Sequence, residues 1–171
     1  MPISDFHLAP LQEEHIQLLR DWRNEESNRK WLQYQEIISE SEQLRWFRSL
    51  DPKNFQLFII FHQEKPIGEI HLKNIDLKLR SAESGIMMDP LAKGTGMAFS
   101  ASLLLLDYAF DQLELDQLLA KVNRENNEVK KYNEFLGFER IELRTDGFDY
   151  YRLDKSKYPE IRKRLTQFLP I

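Results

Sequence analysis

The sequence predicts an α+β fold, an α/β chain whose mixed, mostly antiparallel central sheet of about six to seven strands is flanked by helices. Three observations carry this. Apolar runs of strand length, Phe55–His62, Ile67–Leu72 and Ala82–Met88, follow one another across short polar connections, the pattern of an antiparallel meander. A glycine turn at Gly94 and Gly96 then opens a long helix free of Gly and Pro. Shorter strands and helices fill the C-terminal half, with Gly137 as a helix stop and Asp146-Gly147 as a hairpin turn. At 171 residues, 1–171 reads as one domain large enough for a real core.

The elements follow in order. Phe6–Leu8 is a short strand closed by Pro10, and a helix runs from about Gln12 to Asn24. Ile16, Leu19 and Arg23 fall on one face of it, Leu18 and Trp22 on another. The polar stretch beyond carries Trp31 and Tyr34. Large rings of this kind pack in cores; the alternative is a substrate wall, since aromatic faces stack on bases and sugars. Ser39 with Glu42 three residues on is a capping box, opening a helix through Leu44, Phe47 and Leu50 that Asp51-Pro52 stops. Phe55–His62 is near-continuously apolar, so it is central and covered on both faces. Gln63–Pro66 turns the chain, and Asn74–Ser81 is a polar hairpin connection. The helix Gly96–Gln112 precedes a buried strand, Leu118–Val122, and a helix Asn126–Leu136. Glu139–Leu143 and Phe148–Leu153 pair around Thr145-Asp146-Gly147. Tyr158, Ile161, Leu165 and Phe168 form a last amphipathic helix.

Composition excludes several functions. The net charge is -4 and no basic block occurs, which argues against general nucleic-acid binding. With no cysteine there is no disulfide, thiol nucleophile or Cys-ligated zinc, and no metal site is expected. No apolar run approaches a membrane span and no signal-peptide pattern is seen, so a soluble cytoplasmic protein is the simplest expectation.

The stretch Glu83–Ala98 organises the chemistry. It is an apolar strand, a Pro-marked turn, a glycine loop and a first helical turn. Backbone N–H groups are left bare at such a helix start, and with the helix dipole they suit a phosphate or pyrophosphate. Without Cβ atoms, Gly94 and Gly96 let an anion approach closely. A nucleotide-triphosphate loop needs Lys-Ser or Lys-Thr after its last Gly, where Met97-Ala98 stands. A dinucleotide fingerprint needs Gly or Ala where Phe99 stands. An ordinary strand–helix turn is the plain alternative.

Lys93-Gly94-Thr95-Gly96-Met97-Ala98 resembles the loop of the GNAT acetyltransferases, Arg/Gln-x-x-Gly-x-Gly/Ala, with Lys in the first place. Further on, Asn126, Gly137 and Phe138 match the family's Asn-x-x-Ala…Tyr-x-x-x-Gly-Phe, with Val129 in place of Ala and Asn133 in place of Tyr. The resemblance covers most of the chain. In the first half, Trp22-Arg23-Asn24, Arg29-Lys30-Trp31-Leu32, Ile38-Ser39 and Trp46-Phe47 look like the branch that acetylates nucleotide-linked amino sugars, including the pseudaminic-acid pathway enzymes. Ribosomal-protein N-terminal acetyltransferases share much of that outline.

The resemblance implies direct acetyl transfer from acetyl-CoA to a primary amine, without a metal or a covalent enzyme intermediate. The pantetheine would pair with Ile86, Met87 and Met88, and the pyrophosphate would sit on the amides of Lys93, Gly94, Thr95, Gly96, Met97 and Ala98. The Met88 N–H would polarise the thioester carbonyl. Asn126 and Asn133 belong to the cosubstrate side. Asn133 stands where the family keeps its acid, and an amide can only hydrogen-bond the departing sulfur; Tyr132 is turned about 100° away on the helix. Glu83 is the preferred base, its plain alternative being an exposed strand carboxylate. His71 is the second, with a useful titration range. The acceptor would be a small-molecule amine such as a nucleotide amino sugar, handled by a monomer or homodimer. The alternatives are a protein N-terminal acetyltransferase, or a CoA-binding regulator without catalysis.

Overall fold

A computed structural model describes residues 2–143 and 146–168. Its centre is a seven-stranded sheet in the order β1-β2-β3-β4-β5-β7-β6. The strands are β1 Phe6–Pro10, β2 Phe55–His62, β3 Lys65–Asp76, β4 Ser81–Met88, β5 Gln117–Asn123, β6 Glu139–Leu143 and β7 Phe148–Asp154. The helices are α1 Ile16–Asn24, α2 Glu26–Arg29, α3 Glu40–Arg48, α4 Met97–Asp107, α5 Asn127–Phe135 and α6 Tyr158–Phe168. Every strand pair is antiparallel except β4 with β5. A parallel neighbour needs a long crossover, and α4 supplies it.

The α4 helix is apolar on nearly every side, with Ala101, Leu103, Leu105 and Leu106 buried, as suits a helix inside the core. Burying a leucine of this kind contributes roughly 1.5–3 kcal/mol. Inward residues of β5 alternate strictly, Leu118, Ala120 and Val122, and meet this helix. On the opposite face of the sheet Leu19 and Trp22 of α1 pack on Leu57, Ile59 and Met87. Strand β2 is therefore covered on both faces, as its sequence predicts, one place in from the sheet edge.

Local details depart from expectation. The first helix opens as a 3-10 turn, Glu13–His15, capped by Gln12, and is α-helical only from Ile16. Its buried face is Ile16, Leu19 and Trp22, so Trp22 joins the stripe that was expected to hold Arg23. The long helix is α-helical to Asp107 and widens to a π turn over Tyr108–Gln112. The Ser39–Glu42 capping box is present in both directions. Gly137 takes φ +89 at the end of α5, and a side chain there would collide with Ile161. Of the final turn, Asp146 and Gly147 are described and Thr145 lies outside the described residues. No described helix is long and apolar enough to cross a membrane.

Candidate active site

The sheet splits between β4 and β5. Only Ser81, Ala82 and Glu83 are in register with β5, opposite Gln117, Leu118 and Leu119. Beyond them the strands part, and a cavity of about 230 Å³ opens between Ser84–Met87 on one side and Ala120–Asn123 on the other.

Strand alternation decides what the split is offered. In an antiparallel ladder alternate residues exchange hydrogen bonds with the partner strand. Asp89 N donates to Ile67 O, so Met87, Gly85 and Glu83, in phase with Asp89, bond to β3. Ile86 and Met88 therefore turn their backbone groups toward the split. The Met88 carbonyl is already taken by Asn28 Nδ2 at 3.1 Å. Asn28 is buried and also donates to Trp22 O, which fixes α2 against the end of β4.

The two faces of the split differ. Toward α4 and α5 it is apolar, walled by Leu105, Leu118, Val129 and Phe138. Asn133 is buried here and lines the cavity. Asn126 lines it too, with its Oδ1 accepting from Val129 N as the cap of α5. Tyr132 is turned to α4: its hydroxyl pairs with Ser102 and donates to Ala98 O at 3.0 Å. Burial raises the phenol's pKa well above its ordinary value, the Ser102 bond opposing.

Toward α1 and α3 the split is polar. Register sets Glu69 opposite Met87, His71 opposite Gly85 and Lys73 opposite Glu83, all on one face. Glu83 is held by Lys73 Nζ at 2.8 Å and reached by Asn74 Nδ2 at 3.4 Å. His71 Nδ1 lies 3.0 Å from Glu69 Oε2. Its ring stacks on Phe55, with centroids 5.5 Å apart and planes at 20°. Trp31, Lys121 and Phe148 complete this wall. Of the aromatics in the first half, Trp22 is core, Trp31 lines the cavity and Tyr34 is exposed.

The glycine turn is on the surface at the start of α4, with Gly96 six residues before Ser102. Gly94 and Gly96 have φ +71 and +82. An added Cβ would touch nothing at either, so what demands glycine is the left-handed backbone itself. The N–H groups of Gly94, Thr95, Gly96 and Ala98 have no partner among the described residues; Met97 N reaches Thr95 Oγ1 at 3.4 Å, and Thr95 Oγ1 donates to Ala92 O. Lys93 is turned aside: its Nζ donates to Ser27 O at 2.9 Å and Ser27 Oγ at 3.1 Å. Burial lowers its pKa, with Glu128 opposing.

Of the residues singled out from the sequence, His71, Glu83, Ile86, Met87, Asn126 and Asn133 line one cavity, while Met88, Lys93 and Gly94–Ala98 lie outside its walls. Sequence reasoning missed Glu69, a buried carboxylate in the middle of an apolar strand. The signal was its spacing, since Glu69 and His71 two apart on a strand must share a face.

A family model described as the acetyltransferase (GNAT) domain matches residues 5–139. Spermidine N(1)-acetyltransferase of Escherichia coli K12 is 27% identical over 134 residues, 77% of this chain and 71% of that protein. Alpha/beta-tubulin-N-acetyltransferase 9 of Drosophila melanogaster is 28% identical over 138 residues, 70% of this chain and 68% of that one. The solved spermidine N-acetyltransferase of Vibrio cholerae, in complex with CoA and spermine, superposes with a TM-score of 0.79 at 23% identity, over 91% of this chain and 99% of that one. A dodecameric structure of the Vibrio enzyme superposes at 0.73, with 22% identity over 91% of this chain and 96% of that one.

Proposed function

Because this chain belongs to the GNAT acetyltransferase family, we propose that it transfers an acetyl group from acetyl-CoA to the primary amine of a small molecule, by direct attack within the split. The observation that carries the reading is the parting of β4 from β5. It opens the backbone edge of Ile86 to the cavity, between an apolar and a polar compartment.

The residues fit the donor. The unpaired amides of Gly94, Thr95, Gly96 and Ala98, at the positive end of α4, take the diphosphate. The Ile86 edge takes pantetheine amides as an added strand does. The donor supplies a thioester carbonyl, and the Met88 N–H polarises its oxygen. The amine enters from the polar side. As its nitrogen bonds to the carbonyl carbon, Glu83 or His71 accepts its proton. The C–S bond breaks, and Asn133 donates a hydrogen bond to the departing sulfur.

Polyamines are the first acceptor class to test, because the curated bacterial relative is named for spermidine. The amino-sugar acceptor that the first half resembles rests now on Trp31 alone, an aromatic plate on the cavity wall. Labelled acetyl-CoA is incubated with the protein and, separately, spermidine and spermine, nucleotide amino sugars, and peptides. Label in a small amine supports the reading. Label in peptides alone overturns it, and CoA binding without label in any pool makes the chain a regulator. Sedimentation of the same preparation separates the expected monomer or homodimer from a larger assembly.

A further inference from the structure

The proton-transfer scheme leaves Glu69 unused. It is a buried carboxylate, and its hydrogen-bond partner among the described residues is His71 Nδ1 at 3.0 Å. The imidazole is constrained on three sides. Glu69 holds one nitrogen, Phe55 stacks against the ring, and Gly85 lies beneath it, where a Cβ would stand 2.5 Å from Nε2. A neutral imidazole carries one proton, and an ionised carboxylate only accepts. The proton therefore sits on Nδ1 and the lone pair on Nε2, which has no partner among the described residues.

The groups facing this ring give the same answer. Arg23 of α1, stacked on Trp46 at 5.5 Å, interacts with Glu69 through space as an opposite charge. Lys73 of the same strand is engaged by Glu83 of β4. Glu83 thus has both oxygens occupied, by Lys73 and Asn74, while His71 Nε2 is open.

We propose that Glu69 is the positioning residue that fixes the tautomer and orientation of His71, so that His71 Nε2, rather than Glu83, accepts the amine proton. This rests on the reading of the split as an amine-acetylating site. The proton leaves the amine nitrogen for Nε2 as the C–N bond forms, and the electron pair of the C–S bond departs with sulfur. The imidazolium so formed stands beside the Glu69 carboxylate, which stabilises it. The Nε2 proton then passes to the thiolate or to water.

The effect of removing the carboxylate follows. With alanine at position 69 nothing accepts from Nδ1, and the ring is free to carry its proton on Nε2 instead. Glu69→Ala should lower kcat roughly ten- to a hundredfold with KM little changed, and Glu69→Asp should recover part of the loss.

Imidazole nitrogen NMR of the full chain reads the tautomer without any acceptor. The chain has 4 histidines, and His71→Ala assigns the signal. The expected result is an Nδ1-protonated neutral ring in the wild type and loss of that preference in Glu69→Ala. An Nε2-protonated ring in the wild type, or the same tautomer in both proteins, overturns the proposal before any variant is assayed. Acetyl transfer to an amine from the acceptor panel is the second measurement. Full activity in His71→Ala overturns His71 as base. Unchanged kcat in Glu69→Ala, with His71→Ala inactive, overturns the role of Glu69 alone. Failure of the acetylation reading itself looks different: no amine is labelled, whatever the tautomer.

Discussion

Replacing Gly85 by alanine tests how tightly the imidazole is pinned. The new methyl would stand 2.5 Å from His71 Nε2 and 2.6 Å from Cε1, whereas ordinary contact begins near 3.4 Å. The ring must therefore retreat by about 1 Å. Gly85 has no left-handed φ, so alanine fits the backbone and the strain falls on the ring. Retreat within the ring plane stretches the bond to Glu69; tilting breaks the stack on Phe55. Losing the hydrogen bond costs about 1–2 kcal/mol and the ring contact about 0.5–1.5 kcal/mol. Replacing glycine stiffens the unfolded chain and returns about 0.5 kcal/mol. The net is a loss of about 1–3 kcal/mol, or roughly 3–9 °C in Tm for a chain of this size. A catalytic group displaced by about 1 Å costs roughly a hundredfold in turnover. Free CoA can be followed with a thiol reagent, since the chain has no cysteine to react with it. Adding Gly85→Ala to His71→Ala should cost no further stability, because the methyl then meets no ring. Wild-type turnover and melting in Gly85→Ala would refute the pinning, and with it the orientation assigned to His71.

Three further perturbations probe other parts of the site and its scaffold. Asn133→Ala should lower turnover about tenfold if its amide steadies the sulfur; unchanged kcat removes Asn133 from the chemistry. Gly96→Ala forces a side chain to φ +82, at about 1–2 kcal/mol, and should weaken CoA binding several-fold by calorimetry. Equal affinity would separate the turn from the donor. Asp149 is wholly buried on β7, against Arg124 at 3.1 Å, Arg140 at 3.0 Å and Lys130 at 3.3 Å. Burial pushes its pKa up, but these cations outweigh it and hold the carboxyl below its usual range. Its stabilisation is therefore present above the unfolded value near about 3.9 and is lost as pH falls through the lower folded value. Asp149→Asn should cost about 2 kcal/mol in urea unfolding at pH 7, discounted because its cations reach solvent. The difference should shrink at pH 3; one that grows there would reverse the assignment.

The central strands, the capping box at Ser39 and the glycine turn were legible because their signals are local: apolar runs of strand length, a cap three residues from its partner, a Cβ-free turn before an apolar helix. Trp22 was misphased because it stands three residues beyond Leu19, at the rim of the same apolar stripe, and the burial of its large ring extends the stripe to it. Glu69 was illegible as a partner because a strand carboxylate reads as solvent-facing until β2 and β4 are known to enclose it. The contacts that tie α2 to the site are further out of reach. Lys93 meets Ser27 across 66 positions and Asn28 meets Met88 across 60, and nothing in either short stretch specifies the other. The resemblance supplied the order of the motifs, while the distribution of charge between Glu69, His71, Lys73 and Glu83 came only from register.

The three-residue seam between Ser81–Glu83 and Gln117–Leu119 has a mechanical corollary. Four strands lie to one side of it and three to the other, so within the sheet the halves are stitched for less than one strand's length. A cosubstrate laid along the proposed Ile86 edge would act as mortar as well as reagent. By mass action it should raise resistance to unfolding by about 2.7 kcal/mol at a hundred times its Kd. Amide exchange should slow most on both banks of the opening, and far less in the β1–β2 ladder.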